Sequence, residues 1–318
     1  MNRRQTIPKE LRYTVEDFNR EFPNDDACLE YIKEQRFPKG VTFCAKCAKE
    51  RKHYRVSGRT AYACDHCGNH IYPLAGTIFE KSTTHLRLWF YAMYLMGSTR
   101  CGISAKQIQR ELGVTYKTAW RMFRQIRSLM SEDVKLEGSS VEMDETYIGG
   151  HIRGVRNKTK NKTCVVGIAQ RKGRVVAMAA PDKSGRTILK YAREKILPKS
   201  TVFTDEATTY DGLTHMDLGY THRRIHHSSK VYVRGNVHTN TIEGFWSLVK
   251  RGLGGVYHSV SQKYLQNYLD EYSFRYNRRD QGNLIFTSIL NRVGEKSSSR
   301  ERANGKSPAA VTSENQSE

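Results

Sequence analysis

The chain has 318 residues, of which 38% are hydrophobic and 27% are charged. Its 53 Lys and Arg against 32 Asp and Glu give a formal net charge of +21, which predicts a polyanionic partner, most often nucleic acid. The longest apolar run, residues 88–96, is far shorter than the ~20 residues of a membrane-spanning helix. The opening segment MNRRQTIPKE has no signal-peptide core. We therefore exclude a membrane protein and expect an intracellular protein with reduced thiols.

Residues 12–36 are predicted to form either one helix or two helices divided at Pro23, and a further helix is predicted at 83–97. Between them, Cys44-x-x-Cys47 and Cys64-x-x-Cys67 lie 16 residues apart. Two such pairs are typical of a structural zinc site, because four thiolates complete a tetrahedron and leave no open position for catalysis. The alternative is two free or redox-active pairs. The other cysteines are predicted to be packing residues: Cys28, Cys101 and Cys164.

Residues 103–127 contain two short helical patterns around Gly113, which is typical of a helix-turn-helix. The second helix would enter the major groove and present basic side chains to DNA. The alternative is a helical hairpin that only packs against the helix at 83–97. The residues expected to face DNA are Tyr116, Lys117, Arg121 and Arg124.

From residue 141 the pattern changes to short strands separated by Gly and basic turns. Strands are predicted at VEMDETYIGG, KTCVVGIAQ, GRVVAMAA, STVFTDEA and 222–227, and helices at 184–197, 241–251 and 261–278.

Acidic residues are scarce in this region. Residues 146–204 contain 14 Lys or Arg but only two acids, and the stretch is bounded by Asp144-Glu145 and Asp205-Glu206. If the two strands are parallel neighbours, carboxylates from both lie side by side and repel unless divalent cations hold them. The alternative is ordinary surface acids that offset nearby Lys. Strand alternation alone does not choose between the two acids of either pair.

A third acid, Glu243, lies in HTNTIEGFWSLVKRG, seven residues before Lys250. Seven helical steps return to nearly the same face, so the acid and the cation would share one side of a helix. The alternative makes Asn240 the N-cap and Glu243 its partner in a capping box. Spacing alone does not choose between these interpretations.

Several stretches together resemble the insertion-sequence transposases that join an N-terminal zinc ribbon to a DDE catalytic domain of RNase H-like fold. The resemblance reaches from about residue 12 to 290 and is carried by CAKC…CDHC, VEMDETYIGG, VFTDEATTYDGL, HTNTIEGFWSLVKRGLGGVYHSV and YLDEYSFRYNRR. It implies an α+β protein in which an RNase H-like mixed-sheet domain follows a small zinc ribbon and a helix-turn-helix-like region.

The resemblance implies that Asp144, Asp205 and Glu243 bind two catalytic Mg²⁺ (or Mn²⁺) ions, besides the structural Zn²⁺. Lys250 matches a basic residue that such enzymes carry two turns after the Glu, and Asn240 is a rival for the third position. The implied partners are double-stranded DNA, as the element's terminal inverted repeats and target, and further copies in a dimer or higher oligomer. The implied location is the nucleoid in a prokaryotic cytoplasm.

Further DNA contacts are predicted outside the helix-turn-helix. The loop 149–163 has five Lys or Arg and no acid, and would follow a phosphate backbone through Arg153, Arg156 and Lys158; the alternative is a solvated hairpin tip. A second strip would comprise Arg275, Arg278 and Arg279, beside four tyrosines that pack their own helix. Tyr147 and Trp246 could stack on a terminal base, although core packing is favoured for Trp246.

The predicted segments are a helical segment at 1–39, the zinc ribbon at 40–75, a DNA-binding helical region at 76–137, the catalytic domain at 138–295 and a disordered tail at 296–318. Two other functions remain open. One is a DNA-binding regulator descended from a transposase, and the other is an RNase H-like nuclease or resolvase.

Overall fold

The computed structural model describes residues 8–99, 101–136, 140–150, 161–225 and 239–294, apart from the side chain of Asn283. Contacts group the chain into two compact units. Of the described residues, the smaller unit comprises those within 14–94, 121–129 and 287–294, and the larger unit comprises those within 8–13, 95–120 and 130–286. The predicted tail and the residues Arg153, Arg156 and Lys158 lie outside the described residues, and the five predicted segments stay a prediction.

The smaller unit begins with two helices, α1 (Val15–Glu21) and α2 (Asp25–Arg36), so of the two predicted arrangements the one divided at Pro23 is present. Thr14 and Asp17 form a capping box at the start of α1, and Asn24 caps α2. Aromatic side chains fill the core of this unit; Phe22 meets Phe90 edge-on at 4.9 Å between ring centroids, and Phe79 meets Trp89 at 5.5 Å.

A four-stranded antiparallel sheet follows α2 in the smaller unit. Its strands run in the order β1 (Val41–Cys44), β2 (Lys49–Arg55), β3 (Tyr62–Cys64) and β4 (His70–Ile71). One face of this sheet carries the buried side chains of His53, Tyr62 and Cys64. Tyr62 donates a 2.7 Å hydrogen bond to Glu30 of α2, so this covered face is packed on the helix.

Three helices come next: α3 (Leu86–Ser98), α4 (Ala105–Leu112) and α5 (Tyr116–Ser128). Ser104 caps α4, and Gly113 ends it in a left-handed conformation with φ of 65°. Thr115 then accepts a hydrogen bond from the Thr118 backbone N–H and starts α5. The predicted sequence of helix, turn and helix is therefore present.

The larger unit contains a five-stranded mixed sheet in the order β7-β6-β5-β8-β9. Its strands are β5 (Val141–Ile148), β6 (Thr163–Gln170), β7 (Val175–Ala180), β8 (Thr201–Thr204) and β9 (Thr221–Arg224). The first three pair antiparallel, whereas β8 pairs parallel with both β5 and β9. This mixed sheet confirms the predicted α+β, RNase H-like architecture.

Each face of the sheet is covered by helices of the larger unit. Val141, Met143 and Val166 pack with Ile188 and Ala192 of α6 (Gly185–Lys195) in one apolar core. On the other face lie α7 (Asn240–Gly252), which contacts β5 and β6, and α8 (Gln262–Asn277), which contacts β7. The last described helix is α9 (Ile285–Leu290). Within the described part of the chain, no helix combines the length and apolar character needed to cross a bilayer.

Candidate functional site

Four cysteines meet at the turns of the ribbon sheet. The Sγ atoms of Cys44 and Cys67 lie 3.5 Å apart, and those of Cys47 and Cys64 lie 3.9 Å apart. All four sulfurs lie within 4.8 Å of one another. A tetrahedron with Zn–S bonds of ~2.3 Å requires sulfurs about 3.8 Å apart, so this donor set fits a structural Zn²⁺ and leaves no open ligand position.

The cysteine cluster favours a thiolate at Cys44 but not at Cys47, because the Cys67 thiol, burial and the other two thiols raise the pKa of Cys47 to about 12. Burial opposes ionisation of Cys44, but the backbone N–H groups of Cys47 and Lys46 and the neighbouring thiols outweigh it and lower its pKa to about 6. Thiolates are the metal-binding form of cysteine, so the loop geometry prepares this site for a cation. Cys28 and Cys164 are buried as predicted, whereas Cys101 is exposed, which corrects its assignment as a packing residue.

The two predicted aspartates lie at the same level of the mixed sheet. Strands β5 and β8 pair in parallel, with Val141 opposite Val202 and Glu142 opposite Phe203. Continued for two residues, this register sets Asp144 beside Asp205, which directly follows β8. The charge of Asp205 acts on Asp144, so the fold brings these two carboxylates together across the strand boundary.

Asp144 lies in an environment that disfavours its ionised form. Burial, followed by the negative charges of Glu145 and Asp205, raises its pKa to about 7. Trp246 of α7 opposes this shift through its indole N–H, which donates a 3.0 Å hydrogen bond to Asp144 Oδ2. A divalent cation would relieve the same repulsion, and hard oxygen donors are the ligands that Mg²⁺ prefers. The pair therefore fits a metal ion chemically.

Gly167 makes room for this indole. Gly167 lies on β6 and pairs with Asp144 of the neighbouring strand β5. A Cβ atom built on Gly167 would lie 2.3 Å from Trp246 Cζ2 and 2.7 Å from Ile242 Cδ1. No other residue would let α7 approach the sheet so closely without a shift. The absent side chain at Gly167 thus sets the position of Trp246 over Asp144.

Glu142 joins the start of α7 to the sheet. Its side chain is fully buried, on the same strand face as Asp144 because the two are separated by one residue. Its carboxylate accepts hydrogen bonds from the backbone N–H groups of Thr241 (2.8 Å) and Ile242 (3.0 Å), from the Thr241 hydroxyl, and from Arg171 Nε at 2.8 Å. We call this set of contacts the Glu142 clamp. It satisfies N–H groups that a helix start leaves unpaired.

The second acid of each predicted pair has different surroundings. Glu145 points to the opposite strand face, where it accepts a hydrogen bond from the buried Tyr210 hydroxyl. Burial, followed by the charge of Glu145, raises the pKa of that phenol. Asp205 is half-buried and accepts a 3.1 Å hydrogen bond from the Ala207 backbone N–H, whereas Glu206 is exposed. The geometry therefore distinguishes residues that strand alternation left equivalent.

Glu243 and Lys250 are both exposed on α7. The alternative capping box between Asn240 and Glu243 is not formed: the helix N-cap is Thr239, no side chain caps it, and Asn240 is the first helical residue. The Thr239 hydroxyl instead donates a 2.8 Å hydrogen bond to Glu243 Oε1. Among the described residues, only the four cysteines form a group of three or more potential metal ligands whose ligand atoms all lie within 4.8 Å of one another. Glu243 therefore does not form such a group with Asp144 and Asp205.

The basic residues predicted on α5 are exposed. Lys117 and Arg124 are solvent-facing, and Arg121 is exposed but also donates a 3.2 Å hydrogen bond to the Glu80 carbonyl. The predicted strip on α8 is wrong for two of its members, because they are engaged inside the larger unit. Arg275 is buried and donates to Glu271 and to the carbonyls of Met96 and Thr99, and Arg278 donates to Glu132.

Trp246 is buried, as expected from its apolar pattern, and Tyr147 is partly buried against the core on the α6 side. The sequence reasoning missed the hydrogen bond from Trp246 to Asp144, the Glu142 clamp and the close approach at Gly167. One signal in the sequence could have revealed the clamp. Glu142 precedes Asp144 by two residues in a predicted strand, so its side chain lies on the same face of the sheet as that of Asp144.

Comparisons with known proteins match two parts of this chain to transposase domains. Residues 135–277 match the ISXO2-like transposase domain, and residues 23–70 match a transposase zinc-ribbon domain. An uncharacterized protein in transposable element ISH50 of Halobacterium salinarum is 30% identical over 279 residues, which cover 80% of this chain and 91% of that protein. An uncharacterized transposase-like protein of Haemophilus influenzae is 30% identical over 109 residues, covering 34% of this chain and 85% of that protein.

The mixed sheet, the four-cysteine ribbon and these matches lead to one assignment. The chain belongs to the ISXO2-like insertion-sequence transposases, a family of DNA-processing enzymes, and carries the transposase zinc ribbon.

Proposed function

We propose that this protein is an active DDE-type transposase that cleaves DNA at the ends of its insertion sequence and joins those ends to target DNA. The observation that carries the proposal is the parallel pairing of β5 with β8, which aligns Asp144 with Asp205 and makes their charges repel. Glu243 on α7 is the third acid of the proposed site, and Asn240 remains its rival. The carboxylate chemistry fits two Mg²⁺ (or Mn²⁺) ions.

When bound, such ions supply charge neutralisation at the scissile phosphate and activation of the attacking hydroxyl. Asp144 and Asp205 would hold these ions from the sheet, and the Trp246 indole N–H orients the Asp144 carboxylate through its hydrogen bond. The Glu142 clamp keeps the start of α7 on the sheet, so that Glu243 and Lys250 are presented from one helix. Lys250 would hold a DNA phosphate, since an exposed ammonium pairs well with a phosphate oxygen.

Binding to DNA supports the same function. Lys117, Arg121 and Arg124 are exposed along α5, the second helix of the helix-turn-helix, and would contact the terminal inverted repeats. Arg153, Arg156 and Lys158, in a segment with no acid, would contact the DNA backbone. Holding two element ends together requires at least a dimer, which we include in the proposal.

The test is mobilisation of a marker placed between the gene's own flanking ends, with the protein supplied in trans. Wild type and Asp205→Asn are compared, and Glu206→Gln serves as the matched control because it alters the adjacent acid. The proposal expects movement with wild type and Glu206→Gln but none with Asp205→Asn.

Movement with Asp205→Asn would refute the assignment of Asp205 to the site. If none of the three proteins moves the marker but all bind the ends, the protein acts as a DNA-binding regulator. Cleavage of branched DNA of any sequence, without movement, would instead indicate a nuclease or resolvase.

A further inference from the structure

The zinc ribbon has one covered face and one open face. Tyr62, Cys64 and His53 belong to the covered face, which packs on α2. Side chains alternate along each strand and antiparallel partners share a face, so the residues between these positions face the opposite side. Tyr54 of β2 pairs with Ala63 of β3, and Ala63 pairs with His70 of β4, so these three residues lie side by side on the open face.

Aromatic rings are concentrated on the open face. Phe43 on β1 is 61% exposed, Tyr54 on β2 is 62% exposed, and Tyr72, one residue beyond β4, is 55% exposed. Across the described residues, the exposed large hydrophobic side chains number five, so three of them belong to this one small sheet. Such a concentration indicates a binding surface rather than chance exposure.

One cation lies among these rings. Lys52 precedes Tyr54 by two residues and so shares its face, opposite Val41 of β1, and Glu50, opposite Phe43, shares that face as well. Residues 41–72 contain six Lys or Arg but only two acids, Glu50 and Asp65, so the segment as a whole is cationic. Protein interfaces are depleted of Lys at their centre, whereas aromatic rings beside a lysine in a cationic segment match a nucleic acid, with its flat bases and charged phosphates.

We propose that the open face of the ribbon, formed by Phe43, Lys52, Tyr54 and Tyr72, binds unpaired DNA nucleotides by stacking their bases on its aromatic rings. The nucleotides must be unpaired, because bases inside a duplex already stack on their neighbours. The rings extend from β1 to the end of β4, three strand spacings or about 14 Å, so the face contacts a length of strand rather than one base. The inference does not rest on the catalytic acids.

The test uses the full-length, zinc-loaded chain without Mg²⁺, so that binding is measured without cleavage. Fluorescence anisotropy is recorded with a labelled single strand of about 12 nucleotides and with the matching duplex. The variants are Tyr54→Ala and Phe43→Ala. The controls are Tyr54→Phe, which keeps the ring, and Val15→Ala, which removes an exposed apolar side chain of α1. Zinc content and circular dichroism verify that each variant is folded.

Tyr54→Ala and Phe43→Ala should each weaken single-strand binding by roughly 5- to 100-fold, the range of one lost base stack, and leave duplex binding unchanged. Tyr54→Phe and Val15→Ala should bind as wild type. The salt dependence adds a second readout: Tyr54→Ala should lower the plot of log affinity against log salt without changing its slope, whereas Lys52→Ala should make the slope shallower.

Single-strand binding that is unchanged in both alanine variants would overturn the proposal, as would an equal loss for the duplex. A Tyr54→Ala variant that instead dissociates an oligomer in sedimentation experiments, with DNA binding intact, would identify the face as an interface between copies of the chain. Failure of marker mobilisation would not bear on these results, because no step here requires catalysis.

Discussion

The ribbon and the acidic site are both proposed to hold metal ions, but the chain builds them differently. The four cysteines come from residues 44–67 of one small sheet, and their sulfurs lie within 4.8 Å of one another. Asp144 lies in β5, Asp205 directly follows β8 and Glu243 lies in α7, and these elements are distant in sequence. The ribbon site is local and closed, whereas the acidic site depends on the topology of the whole sheet.

The electrostatic environments differ in the same way. N–H donors around Cys44 lower its pKa and favour the charged form that binds metal. Burial and like charges around Asp144 raise its pKa and disfavour the charged form. Metal binding therefore helps the ribbon to fold. At the acidic site, the repulsion between the carboxylates opposes folding, and the packing of the rest of the larger unit holds them together. Each prediction below perturbs one side of this contrast.

The largest effect is expected from Cys64→Ser in the ribbon. Structural zinc contributes about 10–16 kcal/mol to the folding of small zinc modules, so loss of one thiolate should unfold residues 40–75. The matched control is Cys101→Ser, because Cys101 is exposed and lies outside the zinc cluster. Zinc analysis should find one ion per chain in wild type and Cys101→Ser, and limited proteolysis should cut only the Cys64→Ser ribbon. A folded, protease-resistant ribbon in Cys64→Ser would contradict a structural role for the metal.

The next largest effect is expected from Glu142→Ala, which removes the Glu142 clamp. The change leaves Arg171 and two backbone N–H groups without their buried acceptor, and breaking a buried ion pair costs about 3–5 kcal/mol. Glu243→Gln is the control, since its exposed side chain should cost less than about 0.5 kcal/mol. Urea denaturation measures both. Equal stabilities would show that the clamp does not hold α7.

The two sites also differ in how much of their structure the sequence predicts. The zinc site was predictable because its ligands are close in sequence and their spacing encodes the geometry. Periodicity predicted the strands of the mixed sheet and the helices that cover it. It did not predict that β5 and β8 are parallel neighbours, which is what sets Asp144 beside Asp205. The contacts of Glu142 and Gly167 with α7 join residues about 75 to 100 positions apart, which no local pattern reports.

A pH-dependent effect is expected from Asp144→Asn. The folded pKa of Asp144, about 7, exceeds its ordinary 3.8, so folding favours the protonated form. Stability from this group is present at low pH and is lost as pH rises toward 7. The variant should therefore be more stable than wild type at pH 8, by on the order of 2–4 kcal/mol, and nearly equal at pH 4. Urea titrations in Mg²⁺-free, chelator-free buffer measure the difference. A gap that does not change with pH would contradict the raised pKa.

The smallest effect is expected from Trp246→Phe. Phenylalanine keeps an aromatic ring above Gly167 but removes the N–H that donates to Asp144 Oδ2, a hydrogen bond to a charged group worth about 1.5–3 kcal/mol. Because this bond lowers the pKa of Asp144, its loss should raise that pKa further and weaken Mn²⁺ binding, by up to about tenfold. Trp89→Phe is the matched control, since it also removes an indole N–H bond, the one to Ser82, in the other unit.

Both tryptophan variants should lose stability, but only Trp246→Phe should change Mn²⁺ affinity, measured by electron paramagnetic resonance of zinc-loaded protein. This difference separates a residue that orients a ligand from one that only packs. If the two variants bind Mn²⁺ equally, Trp246 acts through packing alone, and the direction of the Asp144 carboxylate is set by the strand. If only Trp246→Phe loses affinity, the acidic site depends on α7 for its ligand geometry as well as for Glu243.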